Sequence, residues 1–284
     1  MPDLPSVGFI GLGSQGAPMA RQIIEGGFPL NLWARRDGSL ATFADTAATS
    51  AGSPAELAEA SSIVCLCVTG DDDVEDVLLR PDGVFAGLGA GGSVMIHSTV
   101  HPDTCRRLWQ HGSERSIAVV DAPVSGGGAA ASRRNLLVMV GGDTQTVERV
   151  RPVLATFGDP ILHLGPIGAG QVAKLVNNFV FTAQTALALE TFAFVDALGL
   201  DQGAMAHVFD HGSGGSRAAS ILSGSKFDLS GMKKVAAPLL RKDVGLAVDV
   251  ARSQGASLPP TVLKLAEAAL RSLSEPPEEA APSP

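Results

Sequence analysis

The sequence predicts an α/β N-terminal domain followed by an all-α C-terminal domain, with one long helix running between them. Three observations predict this. Short apolar runs alternate with helix-like stretches from residue 7 to residue 164, and a glycine-rich turn follows the first of those runs. Beyond residue 170 no strand-like alternation returns, and the pattern stays helical to residue 273. A chain of 284 residues suits one large domain or two ordinary ones, and an apolar fraction of 45% is ample for a core.

Residues 7–10, Val-Gly-Phe-Ile, read as the first strand. Gly11-Leu12-Gly13-Ser14-Gln15-Gly16 follows, and a helical stretch from Ala17 closes at Gly26 and Gly27. A bare GxGxxG is a weak signal in a glycine-rich chain. Placed between a strand and a helix it becomes the dinucleotide-binding arrangement, so the N-terminal domain is expected to be of Rossmann type. Gly11 makes the tight turn, Gly13 admits the pyrophosphate to the backbone, and Gly16 lets the helix pack. Leu12, Ser14 and Gln15 complete the loop, with the phosphates at the helix N-terminus. The second strand, from Leu30, ends in Ala34-Arg35-Arg36. An acidic residue there would hold ribose hydroxyls, whereas arginines accommodate a 2′-phosphate. NADP is therefore the expected cofactor, with NAD as the alternative and two merely solvated arginines as the bland reading.

The alternation continues. Ser53 caps a helix that leads to the strand 63–68, whose exit Thr69-Gly70-Asp71-Asp72-Asp73 is expected to cap a helix near 74–79. Consecutive aspartates point in different directions and no matching ligand set accompanies them, so no metal site is expected. The next strand ends in Ser98 and Thr99, and Pro102 marks a helix start. Strand and helix in repeated succession imply a parallel sheet with right-handed crossovers. Ligands bind beyond the carboxyl ends of such strands, where Val68, Thr69 and Thr99 lie.

Residues 118–124 form a strand that breaks into Ser125-Gly126-Gly127-Gly128, followed by a strand from Leu136. Open backbone N–H groups beside one hydroxyl make a concavity suited to a carboxylate, although alone the stretch could equally be a flexible loop. A last strand near 161–164 delivers the chain to residues 165–179. There Lys174, Asn177 and Asn178 are related as i, i+3 and i+4, so they share one helix face. The positive end of the helix dipole and apolar surroundings both favour a neutral amine, which can exchange a proton near neutral pH. The bland alternative is a solvated surface lysine. One long helix over 170–198 is followed by helices at 202–210, 216–223, 233–254 and 260–273. The expected domains are 1–165 and 166–273, with a disordered Pro/Glu tail at 274–284.

Composition excludes several classes. Net charge is −8 with a pI near 5.2, and no basic run follows a phosphate backbone, so nucleic acid is not an expected partner. The longest apolar stretch, 179–200, is interrupted by Thr182, Gln184, Thr185, Glu190 and Asp196. It reads as a buried helix rather than a membrane span. The N-terminus lacks the parts of a signal peptide, and the 3 cysteines make no disulfide framework. A cytoplasmic protein is expected. The histidines show no zinc spacing and are expected at the surface or at helix caps.

With these residues together, the chain resembles the β-hydroxyacid dehydrogenase family, whose members include 3-hydroxyisobutyrate dehydrogenase and tartronate semialdehyde reductase. The resemblance covers roughly 7–270 and rests on four motifs in order: Gly11 to Gly16, Asp121-Ala-Pro-Val-Ser-Gly-Gly127, Gly165 to Asn178, and Lys242-Asp243. It implies Lys174 as catalytic acid and base, Asn178 as the residue that orients substrate, and Ser125, Gly126 and Gly127 as carboxylate holders. Thr99 would lie near substrate and nicotinamide, Asn177 beside the substrate, and Lys242 over the cofactor, anchored by Asp243. A homodimer or homotetramer acting on a small carboxylate is implied as well. Departures from the family pattern are Ile96 for an aspartate, Ala130 and Arg134 for glycines, and Arg217 and Val235 for aromatics, so the identity of the substrate does not carry over. An imine reductase on the same fold and a catalytically silent NADP-binding paralogue are the rival readings.

Overall fold

The computed structural model describes residues 4–274. Its N-terminal unit is built on six parallel strands: β1 (Val7–Ile10), β2 (Leu30–Trp33), β3 (Thr49–Ser50), β4 (Ile63–Leu66), β5 (Ser93–Ile96) and β6 (Ala118–Asp121). They lie in the order β3-β2-β1-β4-β5-β6, so the direction of winding reverses between β1 and β4. The central strands β1 and β4 are apolar and fully buried because both faces of the sheet are covered there, while the edge strand β3 is exposed. Phe9, Cys65, Met95 and Val120 point into one buried cluster, while Ile10, Leu66, Ile96 and Val119 point into the other.

The helices of this unit are α1 (Gly16–Glu25), α2 (Asp37–Leu40), α3 (Pro54–Glu59), α4 (Asp71–Leu79), α5 (Val84–Gly87) and α6 (Pro102–Ser113). Ser53 caps α3 as expected: its Oγ accepts from the Glu56 N–H at 3.1 Å, and the Glu56 carboxylate reaches back to the Gly52 N–H at 2.7 Å. A smaller sheet follows. In it β7 (Val124–Ser125) runs antiparallel to β8 (Leu136–Val140), and β8 runs parallel to β9 (Gly158–His163). Helices α7 (Gly127–Ser132) and α8 (Thr144–Leu154) connect these strands. An isolated bridge between Asp121 and Gly141 ties the end of β6 to the end of β8.

Helix α9 (Ala169–Ala197) runs through the boundary of the two compact units, the first ending at Lys174 and the second beginning at Leu175. By length and composition alone α9 is apolar enough to cross a membrane. Its interrupting threonines are satisfied internally: Thr182 and Thr185 are fully buried and donate to the carbonyls of Asn178 and Phe181 at 2.7 and 3.0 Å. The second unit continues with α10 (Gln202–His211), α11 (Arg217–Gly224), α12 (Ala237–Ser253) and α13 (Pro260–Ser272). The helix expected over 233–254 opens as a π-helical turn, Met232–Ala236, just before Pro238, which has no N–H for a regular ladder. The architecture is Rossmann-type followed by helices, as the sequence predicts. The tail expected at 274–284 lies, beyond Ser274, outside the described residues.

Candidate functional site

The loop after β1 is shaped by contacts that only glycine permits. Gly11 has φ +101°, and a Cβ there would lie 2.2 Å from the Cys67 carbonyl oxygen. A Cβ on Gly16 would lie 1.9 Å from the Gly11 oxygen, whereas one on Gly13 meets no protein atom within 4 Å. Gly11 and Gly16 thus close the loop on the exit of β4 and on the start of α1. Gly13, exposed with Ser14, leaves open space of the kind a pyrophosphate fills. Leu12 and Gln15 are half-buried. Residues suited to a dinucleotide are therefore in place.

At the exit of β2 the two arginines differ. Arg35 sets Nη2 2.8 Å from Asp73 Oδ1 and 3.8 Å from Asp76 Oδ2 on α4. Arg36 is exposed, and its side chain has no ion-pair partner among the described residues. The aspartates correct the capping expectation. Helix α4 already starts at Asp71, its N-cap is Gly70, and no side chain caps it. The three carboxylates sit in the first turn, where they answer the helix dipole. Asp71 Oδ1 accepts instead from the His101 N–H at 2.8 Å and the Thr104 hydroxyl at 2.7 Å, joining α4 to α6.

The exits of β4 and β5 are tied together. The Val68 N–H donates to Ser98 Oγ at 2.8 Å, while Thr69 is exposed and Thr99 half-buried. Gln171, a residue the sequence did not single out, brackets Thr99. Its Nε2 donates to the Ser98 carbonyl at 2.8 Å, and its Oε1 accepts from the Val100 N–H at 3.2 Å.

Asp121, named in the sequence only as the start of a motif, takes a part the sequence did not foretell. Fully buried at the end of β6, it accepts from the Gly168 N–H at Oδ1 (2.6 Å) and from the Gln171 N–H at Oδ2 (2.7 Å). Gly141 and Gly170 make room, since a Cβ on either would lie 2.4 or 2.8 Å from a carboxylate oxygen of Asp121. Burial pushes this carboxyl up to about 6 against the opposing pull of the backbone N–H groups. Asp121 therefore supplies the anion at the N-terminus of α9. Lys174 lies in the second turn of that helix and is 9% exposed. The helix dipole invoked for Lys174 is answered by Asp121 and fades beyond the first turn, so the dipole argument made from the sequence does not carry over.

Ser125 ends β7 half-buried, and the chain turns through Gly126 (φ +133°) and Gly127 (φ +73°) into α7. A Cβ on Gly126 would lie 2.6 Å from the Ala130 methyl, while one on Gly127 meets nothing. A Cβ on Gly128 would lie 2.3 Å from the Ser14 carbonyl oxygen, so this loop lies directly against the one after β1. In the second unit, Asn177 is exposed and donates to Asn178 Oδ1 at 3.1 Å. Asn178 Nδ2 donates to the buried Asp243 at 2.6 Å. Lys242 Nζ stands 3.0 Å from Asp243 Oδ1, an ion pair by distance without hydrogen-bond geometry.

Two departures from the family pattern acquire structural reasons. Ile96 is fully buried in β5. Arg134 adopts φ +59°, which explains the usual glycine, and its guanidinium is committed to Gln22 and Glu25 on α1. His101 caps α6 as expected, but His97 does not fit the expectation of a surface or capping residue. It is buried between the rings of Phe9 and Phe157, with Nδ1 2.8 Å from the Ala122 carbonyl, and burial lowers it to about 4.

Comparisons with known proteins agree with this arrangement. Residues 6–165 match the family model for the NAD binding domain of 6-phosphogluconate dehydrogenase. Residues 168–280 match that for the NAD-binding of NADP-dependent 3-hydroxyisobutyrate dehydrogenase. The chain is 33% identical over 265 residues to the NAD-dependent L-serine dehydrogenase of Pseudomonas aeruginosa, covering 90% of this chain and 88% of that protein. Mycobacterium tuberculosis 3-hydroxyisobutyrate dehydrogenase, solved with L-serine, has a TM-score of 0.82 at 26% identity over 95% of this chain and 93% of that one. An imine reductase from Pseudomonas sp. shares the fold alone, with a TM-score of 0.65 at 17% identity over 96% and 100% of the two chains.

Proposed function

This chain belongs to the β-hydroxyacid dehydrogenase family, NAD(P)-dependent oxidoreductases of hydroxy acids, and from that premise we propose that it is an NADP(H)-dependent enzyme acting on a small 3-hydroxy acid or its semialdehyde, with Lys174 as general acid and base. The observation that carries this reading is Lys174 itself: a nearly buried lysine on a helix whose start is locked by Asp121, one turn from the Gln171 clamp on Thr99.

The nicotinamide supplies or takes the hydride. Lys174 Nζ gives a proton to the carbonyl oxygen during reduction and removes it from the hydroxyl during oxidation. Ser125 Oγ and the N–H groups of Gly126 and Gly127 hold the substrate carboxylate, whose charge a turn of exposed amides suits. Thr99 and Asn177 border the substrate, and Asn178, fixed by Asp243, orients it. Gly11 to Gly16, Val68, Thr69, Thr99 and Lys242 hold the cofactor. The domains are the dinucleotide-binding 1–165 and the helical 166–273.

For the cofactor, Arg36, without an ion-pair partner among the described residues, supports NADP, while the pairing of Arg35 with Asp73 leaves a place for NAD. Exposed Val176, Val180, Leu187 and Phe194 recur along α9 at steps of four and seven, forming one apolar stripe. Such a stripe supports a homodimer or homotetramer. Free Cys65, Cys67 and Cys105 support a reduced, cytoplasmic setting.

The test is oxidation of a panel of 3-hydroxy acids, including L-serine and 3-hydroxyisobutyrate, with NADP and NAD in parallel. Turnover of a hydroxy acid with NADP ahead of NAD is expected. A cyclic imine consumed faster than any hydroxy acid, or NADPH binding without any turnover, would overturn the reading. The loop offers a second check. Gly13→Ala should keep the melting temperature and weaken NADPH binding, whereas Gly16→Ala, pressed against the Gly11 oxygen, should lose both stability (about 1–3 kcal/mol) and binding. Equal NADPH affinity in all three proteins would place the pyrophosphate elsewhere.

A further inference from the structure

The ion pair at the end of β2 reaches further than the fold requires. Arg35 faces Asp73 at 2.8 Å and Asp76 at 3.8 Å. Asp76 in turn lies 4.0 Å from Arg80, which is bound to Asp82 at 2.6 Å. The Arg35 side chain is 64% exposed, so the pair adds little to stability. Its place matters more, because the end of this strand is where such sheets read the adenosine ribose.

A 2′-phosphate carries about −1.5 to −2 charges near neutral pH, and a ribose hydroxyl carries none. A phosphate that binds Arg35 must share that guanidinium with Asp73 or displace it, and Asp73 repels it in either case. A ribose hydroxyl meets no such cost. Arg36, without an ion-pair partner among the described residues, carries no matching counter-charge. We propose that Asp73 sets the balance between NADP and NAD in this protein, by holding Arg35 on α4 and opposing a 2′-phosphate there. The inference rests on the reading above that the arginines after β2 face the adenosine ribose. It goes beyond that reading by assigning the discrimination to a carboxylate on a different element.

The test is Asp73→Asn, which keeps an oxygen for Arg35 to donate to and removes only the charge. Dissociation constants for NADPH and NADH are measured by quenching of Trp33 and Trp109 fluorescence at low and high salt. NADPH should tighten about three- to tenfold at low salt and NADH by less than about twofold, with the difference shrinking at high salt. Asp76→Asn, farther from Arg35, should act in the same direction and less. An unchanged NADPH-to-NADH ratio in Asp73→Asn would overturn the proposal. So would selective weakening of NADPH, because Asp73 would then be orienting Arg35 for the phosphate. Arg35→Gln and Arg36→Gln separate the two layers. If neither alters the ratio, the 2′-phosphate is not read at β2 at all. If they weaken NADPH while Asp73→Asn is neutral, only the role of Asp73 falls.

Discussion

Lys174→Ala is expected to bind NADPH nearly as well as the parent protein and to turn over its substrate about 10² to 10⁴ times more slowly, a loss of about 3–5 kcal/mol of transition-state stabilisation. The loss belongs in kcat as well as kcat/KM, because the proton moves only in the transition state. Lys174→Arg should be as slow, since a guanidinium keeps its proton while retaining charge and length. The pair of variants separates proton transfer from electrostatic anchoring. If arginine restored the rate, the residue would be acting as a fixed charge. Full activity in the alanine variant would remove Lys174 from the mechanism altogether. Stopped-flow hydride transfer together with NADPH titration reads both outcomes.

Asp121→Asn is expected to make folding acid-sensitive. Two buried groups titrate across the same range with opposite signs. Asp121 is raised from 3.8 to about 6, so the folded protein holds a proton that the unfolded chain has released. Its contribution is fully present below pH 3.8 and is lost as pH rises through 6, a change of about 3 kcal/mol. His97 is lowered from 6.5 to about 4, so the unfolded chain binds the extra proton. Its contribution is present above pH 6.5 and is lost as pH falls toward 4, again about 3 kcal/mol. In the parent protein the two slopes largely cancel between pH 4 and 6.5. Asparagine at 121 removes one of them, so the variant should lose about 3 kcal/mol relative to the parent on acidification from pH 7 to 4. Urea unfolding of both proteins across that range measures it, and parallel pH profiles would mean that Asp121 titrates normally.

What the sequence disclosed and what it hid divide by the length scale of the interactions. The strand, glycine turn and helix at 7–25 were legible because their contacts are local: a Cβ on Gly16 collides with Gly11, five residues away. The long helix and its successors were legible through periodicity. Asp121 was visible as part of a motif, but its grip on Gly168 and Gln171 spans 47 and 50 residues, and no local pattern encodes it. The same holds for Arg35, whose partner Asp73 lies 38 residues ahead and whose pairing qualifies a reading based on the strand end alone. His97 failed for a different reason. It stands between the apolar Ile96 and the polar Ser98, an order that leaves its surroundings open, and only the fold sets it between Phe9 and Phe157. Arg134 stood as a departure from a family glycine, and its left-handed φ and its partners on α1 account for it.

The amide of Gln171 acts as though one more strand residue stood beside 98–100, supplying both halves of a ladder contact from a side chain. This couples the exit loop of β5 to the helix of Lys174 through one side chain. Changing Thr99 leaves the Ser98 carbonyl and the Val100 N–H with their Gln171 partner. Changing Gln171 alone strands a buried carbonyl and a buried N–H, each at about 1–3 kcal/mol. Position 171 should therefore accept substitution only together with a rebuilt 98–100 loop.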